Sequence, residues 1–266
     1  MPSFREIATV LEDWAPAPIA ESYDNVGLLV GNPDQEASGV LINLDMTEAV
    51  VEEAIAKGIN MIVAHHPIWF SGRKRLNGED YVSRTIISAV KNDIGLYAIH
   101  TNLDNIRTGV NRRIADTLGL KEVEFLSEKK GILHKEEKVG SGMIGNLESA
   151  KKLDEFLSLV KESFHAGGIR YAPGNKEFIK RVAVCGGSGS FLTKEAIKKG
   201  ADAFVTADIT YHKFFDNEEE LLLMDIGHYE SEQFTSQLIH EFLSQKFINF
   251  AIRLSEVSTN PVNYFS

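Results

Sequence analysis

The sequence predicts an α/β protein built from two similar α/β lobes with mostly parallel sheets, with a metal site between them at the carboxyl ends of the strands. Three observations carry this expectation. Short apolar strand-like runs alternate with helix-like periodicities in two separate stretches, the order that parallel α/β structure produces. A helix end occurs twice, as Glu53-Ala54-Ile55-Ala56-Lys57-Gly58 and as Glu195-Ala196-Ile197-Lys198-Lys199-Gly200, an offset of 142 residues from Glu53 to Glu195, and the flanking patterns recur with it. Finally, histidines and carboxylates stand just past several of the strand-like runs, on the edge where ligands collect in open parallel sheets.

Taken in order, Ser3 and Glu6 have capping-box spacing, and Phe4, Ile7, Ala8 and Leu11 lie on one face of the helix that follows. Val40–Leu44 is a strand, Thr47 caps a helix carrying Val50, Val51, Ala54 and Ile55, and Gly58 ends it. Ile59–Ala64 is a strand stopping at His65-His66. A helix over Tyr81–Lys91 precedes the strand Ile94–Ile99, which stops at His100. The second stretch repeats the plan: strand Val182–Cys185, helix Thr193–Lys199 closed by Gly200, strand Ala203–Thr206 stopping near Asp208, and strand Leu221–Met224. Gly227-His228 then leads into one long amphipathic helix through Phe247, and Phe250–Leu254 is the last strand. The segment 123–172 reads differently. Gly131, Gly140, Gly142 and Gly145 punctuate short strand-like pieces, and Ser149–Phe164 is an amphipathic helix. The expected division is therefore 1–122 as first lobe, 123–172 as connecting α+β segment and 173–266 as second lobe.

The totals narrow the class. With 28 Lys+Arg against 38 Asp+Glu the net charge is −10, which repels phosphate backbones at long range and disfavours general nucleic-acid binding and nuclease action. Cys185 is the single cysteine, so neither an intrachain disulfide nor a thiolate metal cluster can form. Arg5 and Glu6 interrupt what would have to be an apolar signal segment, and no run reaches the ~18 apolar residues of a membrane span. A cytoplasmic protein is expected.

Placing polar residues on the strand edge gives His65, His66, His100, Asp104, Asp208, His228 and Glu232. Adjacent histidines on extended backbone point opposite ways, which suits two neighbouring ions; the alternative is a polar loop dipeptide. His228 and Glu232 stand at i and i+4 at a helix start, one turn apart on one face, a spacing with which a helix grips a metal. The alternative for Glu232 is electrostatic stabilisation of the helix N-terminus, and for Asp104 a turn or cap.

These residues sit within longer blocks. Asp24-Asn25-Val26-Gly27-Leu28-Leu29-Val30-Gly31, His65-His66-Pro67, His100-Thr101-Asn102-Leu103-Asp104-Asn105, Asp208-Ile209-Thr210-Tyr211-His212 and Asp225-Ile226-Gly227-His228-Tyr229-Glu230-Ser231-Glu232 together resemble the Nif-three-like family, the GTP cyclohydrolase 1 type 2 homologues. The resemblance implies a ring-shaped homohexamer with its sites facing an internal cavity, and two divalent metal ions per chain. It places the five ligands on His65, His66, Asp104, His228 and Glu232. Tyr23 stands where Trp is expected, Ala207 where Gly usually precedes the aspartate, and Asn217 where a small residue is usual; none is a ligand. The longer members carry an inserted middle domain for which this chain has no room.

Three imidazoles and two carboxylates without sulfur favour Zn, Fe, Mn, Co or Ni. A pair of such ions points to metal-dependent hydrolysis, for which the resemblance implies GTP cyclohydrolase-like ring opening of a nucleotide and the site chemistry equally permits phosphoester hydrolysis. A non-catalytic metal-binding or ligand-sensing scaffold is the alternative. Asp208, His212 and His100 are candidates for orienting the ligands or donating a proton. Gly186-Gly187-Ser188-Gly189-Ser190 forms either a phosphate nest or a plain tight turn. Trp69-Phe70 reads as core rather than as a stacking surface. His134, His165 and His240 belong to no constellation.

Overall fold

A computed structural model describes residues 1–265. In chain order its elements are α1 (Phe4–Trp14), β1 (Gly27–Val30), β2 (Val40–Asn43), α2 (Glu48–Ala56), β3 (Met61–Ala64), α3 (Tyr81–Lys91), β4 (Gly95–Ala98), α4 (Thr101–Asp104) and α5 (Val110–Thr117). They continue with β5 (Lys121–His134), β6 (Glu137–Lys152), α6 (Leu153–Ser163), β7 (Arg170–Ala172), β8 (Phe178–Val184), α7 (Thr193–Lys198), β9 (Ala203–Thr206), β10 (Leu222–Asp225), α8 (His228–Glu232), α9 (Thr235–Lys246) and β11 (Ile252–Leu254). The chain divides into two compact units, Met1–Leu103 with Thr235–Thr259, and Asp104–Phe234 with the stretch from Asn260.

In the first unit the helix starts are written in short polar side chains. Ser3 Oγ accepts from the Glu6 N–H while the Glu6 carboxylate accepts from the Ser3 N–H at 2.7 Å, completing the expected capping box. Thr47 and Asp80 cap α2 and α3 in the same way. The sheet runs β1-β4-β3-β2-β11. Neighbours from β4 to β11 are parallel, and β1 is antiparallel to β4 at the edge. β2, β3 and β4 are buried at every position, which is why they read as unbroken apolar runs rather than alternating ones. Leu41, Ile62, Ala64, Leu96 and Ala98 form one core with Val50, Val51 and Ala54 of α2 and Val82, Ile86 and Ala89 of α3.

The second unit's sheet runs β5-β6-β8-β9-β10-β7. Only β8, β9 and β10 pair in parallel; β5 with β6, β6 with β8 and β10 with β7 are antiparallel. Both sheets are thus mixed; the first is parallel except at its β1 edge, and the expectation of mostly parallel sheets is corrected for the second, where antiparallel pairings prevail. The cause is a long hairpin: β5 and β6, at 14 and 16 residues, replace the short pieces read from the glycine-rich segment. The helix expected to run unbroken from His228 through Phe247 is also two helices, α8 and α9. The break falls where the chain leaves one unit for the other, because Phe234 belongs to the second and Thr235 to the first. Among the described residues, no helix is long and apolar enough to cross a membrane.

Candidate metal centre

In the first unit three imidazoles are gathered at the carboxyl ends of β3 and β4. His65 and His66 follow β3 directly and His100 lies just past β4. One ring nitrogen from each lies within 4.8 Å of the others. Each ring is gripped through Nδ1. His65 is fully buried and its Nδ1 meets the Ile99 carbonyl oxygen at 2.8 Å. His66 Nδ1 meets Asp45 Oδ1 at 2.7 Å, and the other Asp45 oxygen accepts from the Thr259 hydroxyl at 2.6 Å. His100 Nδ1 meets Asp24 Oδ1 at 2.9 Å. With Nδ1 donating to an oxygen, the Nε2 lone pair is the one left to coordinate, which is how proteins orient metal-binding imidazoles.

Asp24 is itself strongly held. Its carboxylate accepts from the Thr101 hydroxyl, from the Thr101 N–H at 3.0 Å and from the Asn25 N–H at 2.7 Å. Burial opposes its charge, but the hydrogen bonds from His100 and Thr101 outweigh that and bring its pKa down to about 2.

In the second unit His228 opens α8 behind Gly227. Its Nδ1 meets Asp208 Oδ2 at 2.7 Å and its Nε2 meets Glu232 Oε2 at 3.0 Å. Burial disfavours the His228 cation, yet the two carboxylates prevail and push its pKa up to about 11. The hydrogen bond from His228 likewise lowers the pKa of Asp208. Glu232 is buried and lies against the glycine-rich turn after β8. A Cβ on Gly187 would stand 2.5 Å from Glu232 Oε1 and 3.2 Å from His228 Cε1, at a backbone φ of +56°. The Gly187 N–H also donates to Ser231 Oγ at 2.9 Å. This turn is therefore a mould for the α8 side chains. Asp104 closes α4, and its carbonyl accepts from Asn111 Nδ2 at 3.1 Å, while Asn111 Oδ1 accepts from the Gly186 N–H at 3.0 Å. Its carboxylate stands outside the donor groups found among the described residues.

Of the three residues expected to assist, His100 sits in the imidazole cluster and Asp208 holds His228, whereas His212 lies in the turn 211–217 with its ring against Tyr211. Sequence reasoning missed Asp45, Asn111 and Ser231, and it read Gly187 only as part of a phosphate nest or tight turn. Asp45 had a usable signal: it stands two residues past β2, on the edge that yielded the histidines. The others act through backbone contacts that no spacing reveals. Trp69 packs partly on the first core as expected, but Phe70 is 51% exposed.

Fold and site together define an α/β protein with two mixed sheets and a histidine-rich candidate metal cluster. Residues 2–261 match the family Duf34/NIF3 (NGG1p interacting factor 3), and the chain belongs to that family. It is 33% identical to a GTP cyclohydrolase 1 type 2 homolog of Clostridium acetobutylicum, over 98% of each chain. A protein so named from Clostridium perfringens is 38% identical over 85% of this chain and 86% of its own. Among solved structures, the Bacillus cereus protein related to NIF3 matches with a TM-score of 0.92 at 26% identity, covering 100% of this chain and 99% of that one.

Proposed function

We propose that His65, His66, Asp104, His228 and Glu232 ligate two divalent metal ions, and that the protein is a metal-dependent hydrolase acting on a nucleotide. The observation that supports this most is the anchoring of His65, His66, His100 and His228 through Nδ1 to a carbonyl or carboxylate oxygen. Such anchoring fixes the tautomer and aim of each ring. The donor set is nitrogen and oxygen only, since the candidate donor groups among the described residues hold histidines and a glutamate but no cysteine, and it fits zinc or a first-row transition ion.

Within this reading each residue has a distinct task. The imidazoles offer single nitrogens with set directions. Glu232 would hold metal through a carboxylate that, pressed against Gly187, has little freedom to swing. Asp45, Asp24 and Asp208 hold the rings of His66, His100 and His228 in set orientations. A bound pair of divalent ions supplies a water of lowered pKa and a clamp for the oxygens of a hydrolytic transition state. Relatives named GTP cyclohydrolase 1 type 2 homologs support GTP as first substrate to assay, with ring opening and phosphoester hydrolysis as the two reactions.

The test is elemental analysis of protein purified without added metal, paired with turnover of GTP and of a generic phosphodiester. Glu232→Gln keeps size but removes a charge that offsets the ions, so metal content should fall and turnover should drop by orders of magnitude with the fold intact by circular dichroism. Equal trace rates in wild type, variant and metal-free protein would overturn the hydrolase and leave a metal-binding scaffold.

A further inference from the structure

The loop between β3 and α3 forms a cleft of about 480 Å³ lined by Trp69, Phe70, Arg73, Lys74, Arg75 and Asp80, among others. That volume lies in the range of small-molecule sites. Three features distinguish it from ordinary surface. The first is charge: in a chain with net charge −10, Arg73-Lys74-Arg75 puts three cations side by side. Arg73 is fixed by Asp80, whose two oxygens accept from its guanidinium at 3.0 and 2.7 Å. Asp80 is fixed in turn by capping α3, accepting from the Ser83 N–H at 2.8 Å. Lys74 and Arg75 are exposed and, among the described residues, have no ion-pair partner; Glu79 is the other carboxylate on the lining. The second is the aromatic wall. Phe70 is 51% exposed, and the backbone beside it is pinned by Asn25 Nδ2 donating to the Trp69 carbonyl at 2.9 Å. The third is position: the Phe70 ring centroid lies 5.7 Å from that of His100, so the cleft opens beside the imidazole cluster.

We propose that this cleft is a binding subsite for a phosphorylated nucleotide, its ring stacked on Phe70 and its phosphates met by Lys74 and Arg75. A planar base needs an exposed aromatic face, and stacking of this kind tolerates any base. Phosphates need cations not already neutralised by neighbours, and two adjacent ones outweigh Glu79. Arg73, held by Asp80, shapes the loop. The inference deepens the nucleotide-hydrolase reading and relies on it for the reacting centre, but binding can be measured without turnover.

Isothermal titration calorimetry on the full chain, as purified and after chelation, separates the two. GTP and inorganic triphosphate serve as probes. GTP should bind both preparations, more weakly as salt is raised. Lys74→Ala with Arg75→Ala should weaken both probes by about ten-fold or more, a difference of ~1.4 kcal/mol, and Phe70→Ala should weaken GTP while leaving triphosphate unchanged. All three positions are exposed, so the variants should keep the wild-type melting temperature. GTP affinity unchanged in both variants, or no GTP binding by wild type, would overturn the subsite. Binding with the expected variant pattern but no turnover in any metal state would uphold the subsite and remove only the hydrolase.

Discussion

The strand–helix–strand units β2-α2-β3 and β8-α7-β9 share a backbone and differ in chemistry. Val40 pairs Met61 in the first and Val182 pairs Ala203 in the second, the register carried over at the offset of the sequence repeat. Their helices end alike. Gly58 and Gly200 have φ of +66° and +70°, and the residues after them donate to Ala54 O at 2.9 Å and to Ala196 O at 3.0 Å. Past the second strand the likeness stops. The first unit continues into His65-His66, the second into Ala207-Asp208, which holds an imidazole from another segment rather than supplying one. The flanks differ too, with parallel β11 beside β2 but the antiparallel β5–β6 hairpin beside β8. A repeated frame fixes where side chains can stand; the one or two residues beyond each strand fix what they can do.

The largest effect expected from disturbing this comparison lies at Gly95, whose counterpart in the second unit, pairing with the strand before it in the same way, is Leu222. A Cβ at Gly95 would stand 2.5 Å from the Phe4 ring, and Phe4 is fully buried. Gly95→Leu should therefore cost about 3 kcal/mol, the upper part of the overpacking range, read as a lower urea midpoint at unchanged m-value. A variant as stable as wild type would mean that α1 does not constrain the first unit.

Next come Asp45 and Asp208, each holding one imidazole. Asp45→Asn and Asp208→Asn should each keep the fold and lower metal affinity or turnover by ~10–100-fold, the usual cost of changing a group that orients a ligand. Comparable losses, measured by chelator competition, would make the two carboxylates equivalent. A silent Asp45→Asn would place the working imidazole on His228 alone.

Asp24 gives a pH dependence. Its folded pKa of about 2 lies below the ordinary 3.8, and its side chain is fully buried. A depressed carboxylate stabilises the fold above its unfolded pKa, and that contribution fades as pH falls from about 4 toward 2. Wild type should lose about 2 kcal/mol across that window on this account, and Asp24→Asn should start less stable and lose correspondingly less. Parallel stability curves for the two proteins below pH 4 would contradict the assignment.

The smallest effect tests the repeat most directly. A Cβ at Gly58 or Gly200 would meet nothing within 4 Å, so alanine there costs only the left-handed backbone, about 1 kcal/mol. Gly58→Ala and Gly200→Ala should give equal losses in denaturant melts. Unequal ones would show that the two helix ends carry different loads.

Much of this frame was legible because local physics dominates it. The helix Tyr81–Lys91 and the strand Ala203–Thr206 fall where periodicity and capping put them, and the Ser3–Glu6 box closes as its spacing requires. The histidines stood out because a buried parallel strand leaves polar groups only at its ends. What failed were elements whose limits are set by partners. β5 and β6 read as fragments because much of the hairpin is exposed on charged positions, so no apolar alternation marked its length.

The sequence by itself determined the repeat, the strand ends and which residues carry nitrogen and oxygen donors, since these follow from local pattern and residue chemistry. Tertiary structure decided the rest. It sent β11 to the first sheet, split α8 from α9 where the chain changes units, and paired His100 with Asp24 and His66 with Asp45, partners 76 and 21 residues apart. A hydrogen bond over such distances depends on the sheet that brings two strand ends together, and no spacing along one chain encodes it.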